Sequence, residues 1–172
     1  MAEADTSLRS AVSWTPLPTM ACPMSEHLAS IRWNRDEKPF TYQGYSRDHQ
    51  WRFDGGQQLL GSAAEAYLGS AAGVDPEEAM VAALSSCHML TLLAIAAKRG
   101  WVVDHYEDDA VGTLGKNKTG KISLTTVTLR PRIVFAQGSA PDADALQRLH
   151  HQAHEHCFIA NSVKTEIFVE PR

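Results

Sequence analysis

The chain has 172 residues, 44% of them hydrophobic, which suffices for one globular domain with an ordinary core. Its formal net charge of -4 argues against nucleic acid or an anionic membrane surface as a partner, because both attract basic faces. Three cysteines are too few and too odd in number for a disulfide framework, so their role is catalytic, metal-bound or simply buried.

Residues 1–24 are rich in Ala, Ser, Thr and Pro and predict a flexible leader, with Cys22 read as a surface thiol; residues 25–172 predict a single domain. The leader lacks the basic start and continuous apolar core of a signal peptide, so a cytoplasmic, thiol-reducing location is expected. Alternation and aromatic content predict strands over 28–33 and 40–53, joined by a polar turn and ended by Asp54-Gly55-Gly56. Residues 57–74, rich in Gly, Ser and Ala, lead into Asp75-Pro76-Glu77-Glu78. There Asp75 is placed to cap, Pro76 suits the first turn and Glu78 stands three positions after the cap. The helix is expected over 76–99, stopping at Gly100, and its near-continuous apolar lining predicts burial on almost all sides. Serines 85 and 86, His88 and Thr91 interrupt that lining, which favours a core helix over a membrane span. Further strands are expected over 101–106, 110–114 and 122–134, as an antiparallel set. A second helix begins after Pro141 and reaches about His156, a helical turn covers 158–163, and a strand covers 164–170. Antiparallel strands with two long helices define an α+β fold.

A free thiol is only a few per cent ionised at neutral pH, so a reactive cysteine needs a cation or helix terminus beside it. Cys87 lies mid-helix, ten positions after Glu77, or roughly 15 Å along the axis. Two copies of the helix packed antiparallel on their small residues, crossing near Ala82, bring Glu77 of one chain beside Cys87 of the other. An arginine from the second strand, Arg47 or Arg52, is then able to bridge carboxylate and sulfur. Cys157 follows His154-Glu155-His156 at the start of the predicted turn of helix, where exposed amides favour a negative sulfur and allow it to resolve a sulfenic acid.

Ser46-Arg47-Asp48-His49 followed by Asp54-Gly55, then Asp75-Pro76-Glu77-Glu78 with Cys87 beyond it, then Ala153-His154-Glu155-His156-Cys157, together resemble the OsmC/Ohr family of osmotically inducible and organic-hydroperoxide-resistance proteins. The resemblance covers roughly residues 28–170. It implies an intertwined homodimer whose antiparallel sheets wrap two central helices. It also implies a two-cysteine peroxidase acting on organic hydroperoxides or hydrogen peroxide, with no cofactor. Carried over by residue, Cys87 is peroxidatic, Cys157 resolving, Arg47 the thiolate-stabilising arginine with Arg52 its rival, and Glu77 the carboxylate that orients it. An external dithiol is the implied reductant. The chain departs from the hydroperoxide branch in having Asp-Pro-Glu-Glu-Ala in place of Asn-Pro-Glu-Gln-Leu, and Cys157-Phe158 in place of Cys-Pro, which makes it an OsmC-like subgroup.

Two other readings compete. Histidines 150, 151, 154 and 156 beside Cys157, with His88 beside Cys87, are potential zinc ligands, although only His150 and His154 share a helix face at i, i+4 and helix-surface histidines are commonly solvated. A pocket lined by Met80, Leu84 and Met89 in a dimer of the same fold would instead hold an apolar ligand without turnover.

Overall fold

The computed structural model describes residues 25–172; Cys22 and the expected leader lie outside them. Strands β1 (Ala29–Arg32), β2 (His49–Phe53) and β3 (Gln58–Gly61) precede a 3-10 turn at Glu65–Tyr67 and the long helix α1 (Pro76–Lys98). Then follow β4 (Val103–Asp108), β5 (Val111–Lys116), β6 (Ile122–Leu129), β7 (Pro131–Phe135), α2 (Ala143–Glu155), α3 (Phe158–Ser162) and β8 (Glu166–Val169). The α+β class holds. β1, β2 and β3 form an antiparallel sheet, β4 pairs with β7, and β5, β6 and β8 form a third sheet in which β8 runs parallel to β6.

Local chemistry explains the ends of α1. The Asp75 carboxylate accepts from Glu78 N at 2.7 Å while Asp75 N donates to Glu78 Oε2 at 3.1 Å, a closed capping box with Pro76 in the first turn. At the other end Gly100 takes φ 72° and Trp101 N returns to Ala96 O at 3.0 Å, terminating the helix where the sequence predicts it.

Helix α1 joins two parts of the core. Its second half packs Leu92 and Ala96 on Leu149 and Ala153 of α2, and its first half lays Leu84 on Val127 and Leu129 of β6. Gly112 permits the close approach of β5, since a Cβ there would stand 2.5 Å from Val81 Cγ2.

Four expectations require correction. The strand expected over 40–53 begins only at His49: residues 39–45 close into turns, with Thr41 O accepting from both Gly44 N and Tyr45 N. The stretch 57–74 contains an unforeseen strand, β3, paired with β2. The single strand expected over 122–134 breaks at Arg130, whose N–H donates to Asp108 Oδ1 at 2.6 Å; Pro131 has no N–H, and the chain changes sheets there. In consequence β4 pairs with β7 rather than with β5. Finally, α1 buries only one stripe, Leu84, His88, Leu92 and Ala96, and its other side is uncovered in the single chain, with Leu90 61% exposed. By length and composition α1 is also apolar enough to cross a membrane; here it packs along α2 and the sheets.

Candidate active site

Cys87 sits half-buried on α1, its carbonyl accepting from Thr91 Oγ1 at 2.8 Å. Cys157 caps α3: its Sγ accepts from Ala160 N at 3.4 Å, and its side chain is 1% exposed. Asn161 fixes this corner by donating through Nδ2 to Glu155 O at 2.8 Å and Cys157 O at 3.1 Å. Both thiols are free, and Cys87 is near enough to Cys157 to act on its ionisation. The fold therefore joins two sulfurs that are seventy positions apart in the chain. Burial, and then the neighbouring Cys87, push the Cys157 thiol up to about 11, while the Ala160 and Ile159 amides pull the other way. The sequence expectation that the exposed amides at the start of α3 favour a negative sulfur at Cys157 is thus corrected: desolvation outweighs two amides, and the thiol is held protonated at neutral pH.

A second constellation lies toward the start of α1. Arg47, half-buried in the loop before β2, stacks its guanidinium 3.8 Å from the Tyr45 ring centroid and 5.3 Å from that of Tyr42. Its nitrogens donate to Tyr45 O at 2.5 Å and to Tyr42 O. Arg47 and Glu77 line one cleft of about 1120 Å³, together with Trp33, Phe40, Tyr45 and Met80. Arg52 does not line it: on β2 it is exposed and alternates with the half-buried Trp51 and Phe53. No ion pair joins Arg47 to Glu77 among the described residues, and Cys87 does not line the cleft. Within one chain the four nominated residues thus form two pairs, Cys87 with Cys157 and Arg47 with Glu77, separated along α1.

The serine and carboxylate that hold the Arg47 loop escaped the sequence reading. Ser62, 1% exposed, donates to Asp48 Oδ1 at 2.8 Å and accepts from Ser70 N at 3.0 Å, tying the loop to β3 and to the approach to α1. The nearest signal is the Arg47-Asp48 pair itself; nothing local marks Ser62 within its Gly, Ser and Ala-rich stretch.

Two of the histidines considered as potential zinc ligands are buried against each other. His88 and His150, 0% and 5% exposed, stack with centroids 5.6 Å apart and planes 5° from parallel, and His88 Nε2 lies 3.3 Å from His150 Nδ1. His88 Nδ1 and His150 Nε2 have no partner. Burial lowers both, His88 to about 4, with His150 and His154 adding to the effect on His88. Among the described residues no three His, Cys, Asp or Glu side chains converge as a metal site. The apolar pocket expected from Met80, Leu84 and Met89 also divides: Met80 lines the aromatic cleft, Met89 borders a second cleft beside Tyr106, and Leu84 is core.

The family described as OsmC-like protein matches residues 69–172. This chain belongs to the OsmC family. An OsmC-like protein of unknown function from Vibrio cholerae is 53% identical over 87% of this chain and 100% of its own, with a TM-score of 0.84. The organic hydroperoxide resistance protein OhrB of Bacillus subtilis has the same fold at 18% identity and a TM-score of 0.62, covering 86% of this chain and 98% of that one. An organic hydroperoxide resistance protein OsmC from Legionella pneumophila, at 15% identity and a TM-score of 0.63, covers 86% and 96% respectively. None of the curated proteins matches the chain. The fold is thus shared with organic hydroperoxide resistance proteins, and the 53%-identical relative is itself described as of unknown function.

Proposed function

We propose that the protein is a two-cysteine peroxidase that works as a homodimer. The observation that carries this reading is the meeting of Cys87 and Cys157, one half-buried and one enclosed, at the junction of α1 and α3. The more accessible Cys87 attacks the peroxide. Its thiolate takes the terminal oxygen, the O–O bond breaks, and the alkoxide or hydroxide leaves and gains a proton as alcohol or water. Cys87 is thereby oxidised by two electrons to the sulfenic acid. The Cys157 thiol then attacks that sulfur, loses its proton and forms the disulfide, and the sulfenic oxygen departs as water. An external dithiol restores both thiols by exchange.

The remaining pair enters through the dimer. Arg47 and Glu77 are removed from Cys87 in their own chain, but antiparallel packing of two α1 helices about Ala82 places them beside the partner subunit's thiol. The uncovered side of α1, where Ala82, Ala83, Ser86 and Leu90 are exposed, is the surface available for this packing. Arg47 then stabilises the sulfur anion and the departing oxygen, and Glu77 orients its guanidinium. The aromatic lining of the Arg47 cleft favours an organic hydroperoxide with an apolar body.

Stopped-flow oxidation of the reduced protein by hydrogen peroxide, tert-butyl hydroperoxide and a lipid hydroperoxide, with mass spectrometry of the cysteines, tests the cycle. The expected product is a Cys87–Cys157 disulfide. Cys157→Ser should accumulate a trappable sulfenic acid on Cys87, and Cys87→Ser should abolish rapid oxidation. Full activity in Cys87→Ser would instead favour the ligand-binding reading, for which the aromatic cleft is the natural site.

A further inference from the structure

Three consecutive residues, Ser46, Arg47 and Asp48, are each gripped by one side chain from a different strand of the first sheet. Trp33, one residue beyond β1, donates through Nε1 to Ser46 O at 2.7 Å. His49, at the start of β2, stands with Nδ1 2.7 Å from Arg47 O. Ser62, one residue beyond β3, donates to Asp48 Oδ1 at 2.8 Å. The guanidinium's own partners, Tyr42 O, Tyr45 O and the two tyrosine rings, all belong to the same loop. They set its direction relative to the loop and leave the loop's place on the sheet to the three-point brace.

His49 is the member that holds Arg47 itself. An indole N–H only donates, so Trp51 Nε1 at 2.5 Å makes His49 Nε2 the acceptor; the ring then carries its proton on Nδ1 and donates it to Arg47 O. With both nitrogens engaged, the imidazole has none left to hand a proton to a departing oxygen, although it lines the Arg47 cleft. Gly61, the register partner of His49 on β3, makes room for the pair: a Cβ there would stand 2.6 Å from His49 Nε2 and 2.8 Å from Trp51 Cδ1.

We propose that His49 is a positioning residue for Arg47, the centre of a brace with Trp33 and Ser62 that seats the guanidinium for the reacting thiol. The inference rests on the reading of the protein as a two-cysteine peroxidase in which Arg47 serves the partner subunit's sulfur. A donor acts on a developing anion only if it is fixed in place beforehand, and the Trp51–His49–Arg47 chain supplies that fixation at the arginine's own backbone.

The test measures Cys87 oxidation by tert-butyl hydroperoxide in the full reduced protein. His49→Leu should slow it about tenfold, and His49→Asn, whose Nδ2 replaces the Nδ1–H toward Arg47 O, should recover to within about threefold of the wild type. In an Arg47→Ala background His49→Leu should change the rate by less than about twofold, because its effect passes through the guanidinium. An equal slowdown in both backgrounds would reduce His49 to a structural residue. An unslowed His49→Leu would remove it from the brace, and an asparagine variant as slow as the leucine one would overturn the Nδ1 bond as the cause. Circular dichroism and sedimentation check that fold and mass are unchanged in each variant. If the wild type does not react with peroxides, the functional reading falls and the brace is judged separately by phenylglyoxal, which attacks guanidinium groups. Labelling of Arg47, located by mass spectrometry, should be at least about threefold faster in His49→Leu than in the wild type, and equal labelling would overturn the positioning role.

Discussion

The stacked pair of His88 and His150 makes folding stability depend on pH. Its folded-state pKa values are lowered, that of His88 from 6.5 to about 4, so between those values the unfolded chain binds more protons than the native one. Their contribution is therefore complete above pH 6.5 and is lost as pH falls through that window. For His88 alone the loss is on the order of 3 kcal/mol, because one pKa unit is worth about 1.4 kcal/mol. Urea midpoints at a series of pH values should fall toward pH 4 in the wild type and flatten in His88→Leu; a wild-type midpoint that does not move would contradict the burial. Arg47 carries a different prediction. Its guanidinium carbon stands 3.8 Å from the Tyr45 ring centroid while its nitrogens donate to two carbonyls, a combination that suits a multi-donor cation. Arg47→Lys should retain the charge yet slow Cys87 oxidation by roughly 10²-fold, the scale set by losing a preorganised donor at a reacting centre. Stopped-flow rates would decide it, and a change within a factor of two would remove Arg47 from the mechanism.

At the scale of elements, α1 is held by its ends and by one glycine. Loss of the Asp75 cap in Asp75→Ala should cost about 1 kcal/mol in a denaturation midpoint. Gly112→Val should cost more, about 1–3 kcal/mol by overpacking, since its first carbon already meets Val81. If Gly112→Val proves as stable as the wild type, β5 does not press on α1 as described. These elements also show what the sequence makes legible. The start and stop of α1 are written locally, in Asp75, Pro76, Glu78 and Gly100, and they were readable to within a residue. The break between β6 and β7 was not readable, because it depends on Asp108 reaching Arg130 N from another strand. Residues 40–48 read as strand because their aromatic residues mimic strand composition; Phe40 and Tyr45 in fact cluster with Trp33 around the cleft. Cys87, Cys157, Arg47 and Glu77 are candidates that family motifs alone nominate, whereas the approach of Cys87 to Cys157 depends on α1, α2 and α3 packing together. The burial of His150 beside His88 depends on α2 meeting another helix, which no pattern within α2 records.

Several large apolar side chains lie exposed on the described residues. Ile31, Phe40, Tyr42, Leu90, Ile122 and Phe158 are each at least 57% exposed, and α1 covers only one stripe of its circumference. A second copy placed across α1 accounts for three facts together: the uncovered helix face, the small residues Ala82, Ala83 and Ser86 on it, and the distance between the Arg47 cleft and Cys87. Because a two-fold interface uses the same patch twice, one substitution on it acts on both subunits. Ala82→Arg sets two like charges against each other at the crossing point while leaving the chain's own core, centred on Leu84, Leu92, Val127 and Leu149, undisturbed. Sedimentation should therefore show twice the chain mass for the wild type and the single mass for Ala82→Arg, with unchanged far-ultraviolet dichroism. Peroxide turnover should fall along with the mass, because the Cys87–Cys157 pair survives in the monomer but its arginine does not arrive. A folded, monomeric Ala82→Arg that keeps full turnover would show the two cysteines working without a partner, and a wild type that sediments as a single chain would remove the shared site altogether.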